Sequence, residues 1–170
     1  MIDKPESFTG HRAWASKTPQ SERESKQMKY HFKYTKEGAM YWAKCVELDG
    51  CFTQGKTLDD LKRNMREALN LHLDEPSNSK TSFQPPKKAV KGRNIIQVPV
   101  DPKIAFALRL RLSRAARGFT QKETAKRLGF KNLFSYQRLE SSKTANPELM
   151  TLAKIKELFP EFDLDEVVGL

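Results

Sequence analysis

Apolar and polar positions alternate in the first half of the chain from residue 30 onward, which predicts β-strands. Aromatic side chains fall on one face of residues 30–34, and polar ones lie between them. Residues 40–46 are apolar on much of both faces, which predicts a strand in the centre of its sheet. The Asp-Gly pair at 49–50 is a hairpin turn signal, and residues 51–54 would form the third strand.

A helical stripe follows these strands. Thr57 predicts the helix start, and Asp60 three residues later approximates a capping box. The apolar stripe that would pack on the sheet comprises Leu58, Leu61, Met65, Ala68, Leu69 and His72. Residues 74–93 are rich in Pro, Ser and Lys and predict a mobile, basic loop.

Strand character returns at residues 94–100. Because Pro99 cannot donate to a ladder, this strand is expected at a sheet edge. We place it back on the first sheet, which gives the order βββαβ for a domain spanning residues 28–100. The alternative is a free-standing arm attached to the next domain.

Residues 101–170 predict an all-α domain of five short helices, an arrangement that fits a lambda-repressor-like DNA reader. Pro102 suits the first turn of a helix running to about Arg117. Thr120 and Glu123 form a capping box for the second helix, and Gly129 permits a sharp exit from it. The remaining helices would lie at residues 132–140, from about 146 with Leu149, Leu152, Ile155 and Phe159 inward, and at 164–168 capped by Asp163.

Charge makes DNA the first candidate ligand of this domain. Residues 77–143 carry 16 basic and 3 acidic side chains, whereas residues 29–76 carry 8 of each. A local surplus of this kind indicates a polyanionic partner and salt-dependent affinity. The other interpretation is a solvated basic surface.

Within this region the helix-turn-helix pattern would place one helix in the major groove. Asn132 and Gln137 can each bond adenine in two places, and Arg138 can do so with guanine. Arg138 has an alternative role, pairing with Glu140, Glu123 or a neighbouring backbone carbonyl. Phosphate contacts are expected from Gln121 at a helix N-terminus, and Lys122, Lys131 and Lys143 would supply positive charge for phosphate. The full candidate set is Gln121, Lys122, Lys131, Asn132, Ser135, Gln137, Arg138 and Lys143.

Other function classes receive little support from the sequence. No apolar run reaches the roughly 18 residues of a membrane span, and we expect a cytoplasmic protein. Cys45 and Cys51 do not form a CxxC pair, so structural thiols are expected and no metal or cofactor is predicted. Neither Glu37 nor Glu47 converges with other carboxylates, which argues against a metal-dependent nuclease. Residues 1–27 are polar and predict a disordered tail, with Met28 as a possible alternative start.

The segment from Glu47 to Leu58, followed by a helix ending in Ala68-Leu69, resembles the N-terminal domain of HicB antitoxins. Thr120-Gln121, Ala125, Leu128-Gly129 and Arg138-Leu139-Glu140 are similar to the Cro and lambda-repressor type of helix-turn-helix. The resemblance implies a partial RNase H-like fold in the first domain and a DNA-binding second domain.

The same resemblance implies an antitoxin. The first domain would neutralise a HicA-type toxin, a small basic protein that cleaves messenger RNA. The second would form a homodimer or higher homo-oligomer and repress the operon at double-stranded operator DNA. Exposed acids at Glu47, Asp49, Asp59 and Asp60 could meet a basic partner; the other interpretation of each is an ordinary turn or cap carboxylate, so no specific toxin contact is predicted. The alternative is a stand-alone repressor whose first domain senses a ligand or only dimerises.

Overall fold

A four-stranded antiparallel sheet backed by one helix forms the first half of the computed structural model, which describes residues 26–79 and 81–169. The sheet order is β3-β2-β1-β4, so the βββαβ order, the central position of β2 and the edge position of Pro99 are confirmed. The elements are β1 (Lys29–Glu37), β2 (Met40–Cys45), β3 (Phe52–Gly55), α1 (Leu58–Leu73) and β4 (Ile95–Pro99). The predicted tail lies outside the described residues except for Lys26 and Gln27.

Helix α1 covers one face of the sheet. Thr57 caps it as predicted, because its hydroxyl accepts a hydrogen bond from the Asp60 backbone N–H at 3.1 Å. Leu61, Met65 and Leu69 are fully buried against the aromatic face of β1, which is the outcome expected for an amphipathic helix on a sheet. Helix and sheet approach closely at Gly55, where a Cβ would lie 2.6 Å from the Leu61 backbone nitrogen.

Between α1 and β4 the chain is irregular but tied to the sheet. The Tyr30 hydroxyl donates to the Gln84 carbonyl at 2.9 Å, and the Lys87 backbone N–H donates to the Glu47 carboxylate at 3.3 Å. Burial raises the pKa of Tyr30, so this hydroxyl remains a donor. These bonds attach residues 84–87 of the predicted loop to the first residues of β1 and to Glu47, which follows β2.

In the part of the chain that the structure describes, five α-helices follow β4, as predicted. They are α2 (Pro102–Ala116), α3 (Gln121–Arg127), α4 (Leu133–Gln137), α5 (Leu149–Leu158) and α6 (Leu164–Val168). The expected helix at 132–140 is shorter than predicted, because a 3₁₀ turn, Arg138–Glu140, replaces its second half. The prediction that Leu149 points inward is wrong, since it is 80% exposed at the start of α5.

The sheet and the helices share one continuous cluster of buried side chains, which runs from Tyr30 to Phe162 and Val167. The backbone N–H of Met28 donates to the Glu166 carbonyl at 2.7 Å, and that of Val100 donates to the Met28 carbonyl at 3.0 Å. The α+β class is therefore confirmed. The RNase H-like and lambda-repressor-like arrangements stay predictions. In the described part of the chain no helix is both long and apolar enough to cross a membrane.

Candidate nucleic-acid interface

Helices α3 and α4 and the short turn between them contain six of the eight predicted DNA contacts. Helix α3 begins with the predicted capping box: Thr120 Oγ1 accepts from the Glu123 backbone N–H at 3.2 Å, and Glu123 Oε2 accepts from the Thr120 backbone N–H at 2.7 Å. The bond from the Thr120 backbone lowers the pKa of the Glu123 carboxyl. Gly129, with a φ of +80°, makes the predicted exit from α3.

Asn132 is the N-cap residue of α4. Its Oδ1 accepts from the Ser135 backbone N–H at 2.8 Å. Asn132 directly precedes α4, and Ser135 lies in its first turn. A two-point contact with adenine needs the amide oxygen as well as the nitrogen. The cap engages one lone pair of this oxygen, so its second lone pair and the amide nitrogen of Asn132 are what remain for DNA.

Beneath these helices lies Glu140, a fully buried carboxylate. Its oxygens accept from Arg114 Nε at 2.5 Å and Nη2 at 3.2 Å, from the Tyr136 hydroxyl at 2.5 Å and from Gln121 Nε2 at 2.6 Å. Charge-assisted bonds of this kind are the strong ones. A single side chain thus ties α2, α3 and α4 together.

The electrostatics of this group follow from its burial. Burial alone would lower the pKa of Arg114, but the hydrogen bond and charge of Glu140 raise it above its ordinary value. Burial, reinforced by the Glu140 charge, raises the pKa of Tyr136, so the hydroxyl stays protonated and donates. The buried carboxylate is therefore both charge-balanced and hydrogen-bonded, as such groups require.

Two glutamines extend the Glu140 cluster toward the surface. Gln121 Nε2 donates to Glu140 and also to the Ser77 carbonyl at 2.7 Å, while Gln121 Oε1 accepts from Gln137 Nε2 at 3.1 Å. Both amide hydrogens of Gln121 are used, so its predicted side-chain bond to phosphate has no free donor. Gln137 keeps one N–H and its carbonyl oxygen, the pair that an adenine edge requires.

The predicted cationic contacts are exposed. Lys122, Lys131 and Arg138 face solvent on or beside α3 and α4. Lys143 is also exposed but borders a groove at the start of α2, together with Asp101 and Lys103. Within the described residues, Arg138 forms no ion pair. Its alternative pairing with Glu140 or Glu123 is wrong, because Arg114 and Thr120 bind those carboxylates.

The sequence interpretation missed Arg111, Arg114 and the central role of Glu140. Arg111 donates to the Glu140 backbone carbonyl at 2.7 Å and to the carbonyls of Glu75 and Pro76 at 2.6 and 2.7 Å. A signal was present: Glu140 is one of only 3 acids among 16 basic residues between positions 77 and 143. An acid among so many basic residues is expected to pair with a nearby arginine.

In the sheet region, the expectation that Glu47 is an exposed acid is wrong. Its side chain is 1% exposed and pairs with His31, with 2.6 Å between Nδ1 and Oε1. The side chain also accepts from the His31 backbone N–H at 3.1 Å, and Cys45 Sγ lies 3.6 Å from it. Asp49 and Asp59 are exposed as expected.

Comparison with known proteins adds one relative. The chain is 37% identical over 46 residues to the UPF0150 protein ssr1258 of Synechocystis sp. (strain ATCC 27184 / PCC 6803 / Kazusa). The matched stretch covers 27% of this chain and 67% of that protein. The chain is a distant member of the UPF0150 family. That family is related to HicB-like antitoxins. No family model matches the chain.

Membership of the UPF0150 family covers only a part of the molecule. The 46 matched residues are fewer than the 70 residues from 101 to 170 alone. The similarity therefore cannot account for the whole helical region, and the polar cluster around Glu140 is described by its own contacts.

Proposed function

We propose that this protein is an antitoxin of the HicB type, which binds a HicA-type toxin and represses its own operon at double-stranded DNA. The DNA-binding part is assigned to α3, α4 and the turn between them. The toxin-binding part is assigned to the sheet and α1. The distant UPF0150 relationship supports the proposal, because that family is related to HicB-like antitoxins.

The observation that carries the DNA proposal is the way hydrogen bonds hold the side-chain amide of Gln137. One of its amide hydrogens is fixed by Gln121, which is in turn fixed by the buried Glu140. The remaining N–H and oxygen are held in place before DNA arrives, which lowers the entropy lost on binding. Exposed Lys131, in the turn before α4, and Arg138, which follows Gln137 in the chain, would attract phosphate.

Charge supports the toxin proposal. Asp49, after β2, and Asp59, in the first turn of α1, have side chains 106% and 91% exposed, and among the described residues the ion-pair partner of each is a lysine 3.7 Å away. Such exposed pairs are weak, so a basic partner can recruit these carboxylates. Electrostatic complementarity of this kind accelerates association and selects partners.

The DNA proposal is tested with the full chain on its own promoter fragment and on a shuffled fragment of equal length. We expect a selective, salt-sensitive mobility shift that weakens in Arg138→Ala. Lys62→Ala removes one exposed cation from α1 and serves as the matched control, with binding unchanged. Equal binding to both fragments, or equal losses in both variants, would contradict a sequence-reading role.

The toxin proposal is tested by co-expressing the full chain with the product of a short adjacent reading frame. We expect co-purification and protection of cellular messenger RNA, both weakened in the double variant Asp49→Lys and Asp59→Lys. DNA binding should persist in that variant. Selective DNA binding without any co-purifying partner would instead favour the stand-alone repressor.

A further inference from the structure

The outer face of the sheet is only half covered. Helix α1 packs on the opposite face, and the segment at Pro86 and Lys87 closes over His31 at the β1–β4 end. At the β2–β3 end, three large apolar side chains remain exposed. They are Trp42 at 43%, Phe52 at 66% and Val46 at 37%. An apolar group of this size on one face indicates a binding surface.

The two aromatic side chains share that face. Trp42 pairs across the ladder with Gln54, and Lys44 pairs with Phe52, so Trp42 and Phe52 are diagonal neighbours on adjacent strands. Diagonal positions lie about 7–8 Å apart, within reach of one another for aromatic side chains. Both residues line one open cavity of about 580 Å³. Two rings on one platform can each receive a planar ligand.

Two lysines lie beside the aromatic pair. Lys33 and Lys44 line the same cavity, and Asp49 is the acid among the described residues that line it. Asp49 lies 3.7 Å from Lys44, and both side chains are largely exposed, so this ion pair is weak. A phosphate can therefore displace Asp49 from Lys44 at little cost.

We propose that this aromatic–lysine platform, defined by Trp42, Phe52, Lys33 and Lys44, binds single-stranded RNA. Unpaired bases stack on exposed aromatic rings, and the backbone phosphates follow neighbouring cations. Thr35 lines the cavity, and its hydroxyl can donate to or accept from a ribose 2′-OH.

This site is separate from the proposed DNA contacts, which lie on α3 and α4, and from Asp59 on α1, but it shares Asp49 with the acids proposed to meet the toxin. It adds a third ligand to the proposed function and does not depend on it. Loss of RNA binding would leave the promoter shift intact, so the two proposals fail separately.

Trp42 provides the probe for a direct test. The chain has two tryptophans, so Trp14→Phe leaves Trp42 as the sole indole in the full-length protein. Titration with a short oligouridine should quench its fluorescence saturably, and the quenching should persist in an added Lys131→Ala and Arg138→Ala background. Phe52→Ala should weaken the binding at least about fivefold. Leu71→Ala, which truncates a 69% exposed leucine on α1, is the matched control and should leave it unchanged.

Four outcomes would overturn the proposal. They are absence of quenching by oligouridine, equal affinity in Phe52→Ala, loss of quenching when Lys131 and Arg138 are removed, and equal quenching by polyglutamate, which would indicate a surface for acidic proteins. Equal affinity for oligothymidine would overturn the assignment to RNA. Circular dichroism of each variant confirms that the exposed substitutions leave the fold intact.

Discussion

Replacing Glu140 by glutamine tests whether this buried carboxylate holds α2, α3 and α4 together. The substitution keeps the volume of a side chain that is fully buried. It removes the charge that balances Arg114, and it replaces one acceptor oxygen by an NH₂ group. Because four donors point at the carboxylate, the new donor must face another donor. We expect a large loss of stability.

The magnitude follows from the burial of both partners. Removing one member of a buried ion pair costs about 3–5 kcal/mol. Arg114 keeps 20% exposure of its side chain and a hydrogen bond to the Phe119 carbonyl at 3.1 Å, so part of its charge stays solvated. The expected loss for Glu140→Gln is therefore at the lower end, about 3 kcal/mol.

Urea unfolding followed by circular dichroism measures this loss. The midpoint should fall while the slope with urea stays constant, since the surface exposed on unfolding is unchanged. Glu157→Gln is the matched control on an exposed position of α5, with an expected change within about 0.5 kcal/mol.

A double-mutant cycle separates the ion pair from the rest of the cluster. Arg114→Met alone should be costly, but combined with Glu140→Gln it should add less than its single effect, with a coupling of about 1.5 kcal/mol or more. A loss below about 1 kcal/mol for Glu140→Gln, or additive effects in the cycle, would refute the idea that this pair holds α2, α3 and α4 together.

Four further predictions follow from single contacts. Gly55→Ala should destabilise the fold by about 1–3 kcal/mol in urea, because the added Cβ meets the Leu61 backbone at 2.6 Å; unchanged stability would disprove the close approach. Gln137→Ala should cost about 1–3 kcal/mol on operator DNA in a mobility-shift titration, and an equal loss on random DNA would contradict base reading. Lys122→Ala should weaken all DNA equally and reduce the salt slope by about one unit, measured by titrations at several salt concentrations; an unchanged slope would remove Lys122 from the phosphate contacts. The capping bond lowers the pKa of the Glu123 carboxyl in the folded state. Its contribution to folding stability is therefore present above the ordinary glutamate pKa and is lost as pH falls through the lower folded value. An NMR titration of the carboxyl group should show a midpoint below that of an unfolded peptide, and a normal midpoint would argue against the capping box.

Local signals were sufficient to predict most elements of this fold. Alternation, the turn at Gly50 and the cap at Thr57 place the strands and α1, and Pro99 places β4 at the edge. Each signal acts over a few residues, so it is visible in the sequence alone. Leu149 shows the limit: its spacing from Leu152 matches the buried face, yet the first turn of α5 extends beyond the core and leaves it exposed.

The polar cluster could not be predicted in the same way, because its partners are distant in sequence. Arg114 and Glu140 are 26 positions apart, and Gln121 and Ser77 are 44 apart. Hydrogen bonds of this range depend on how the helices pack, which no local periodicity encodes. The same reason explains Glu47, whose position after β2 suggested an exposed turn until pairing with His31 buried it.

The long-range bonds also bear on how the protein can be divided. Residues 74–77 continue from α1, and their carbonyls bind Arg111 and Gln121 of the helical region, while Asp74 accepts from the Ser142 hydroxyl. A fragment starting at residue 101 would keep Arg111 and Gln121 but lose these acceptors. One hydrogen of Gln121 would then be free for a phosphate. In the full chain, a phosphate at that position must compete with the Ser77 carbonyl, so DNA affinity measured on the fragment and on the full chain would differ for this physical reason.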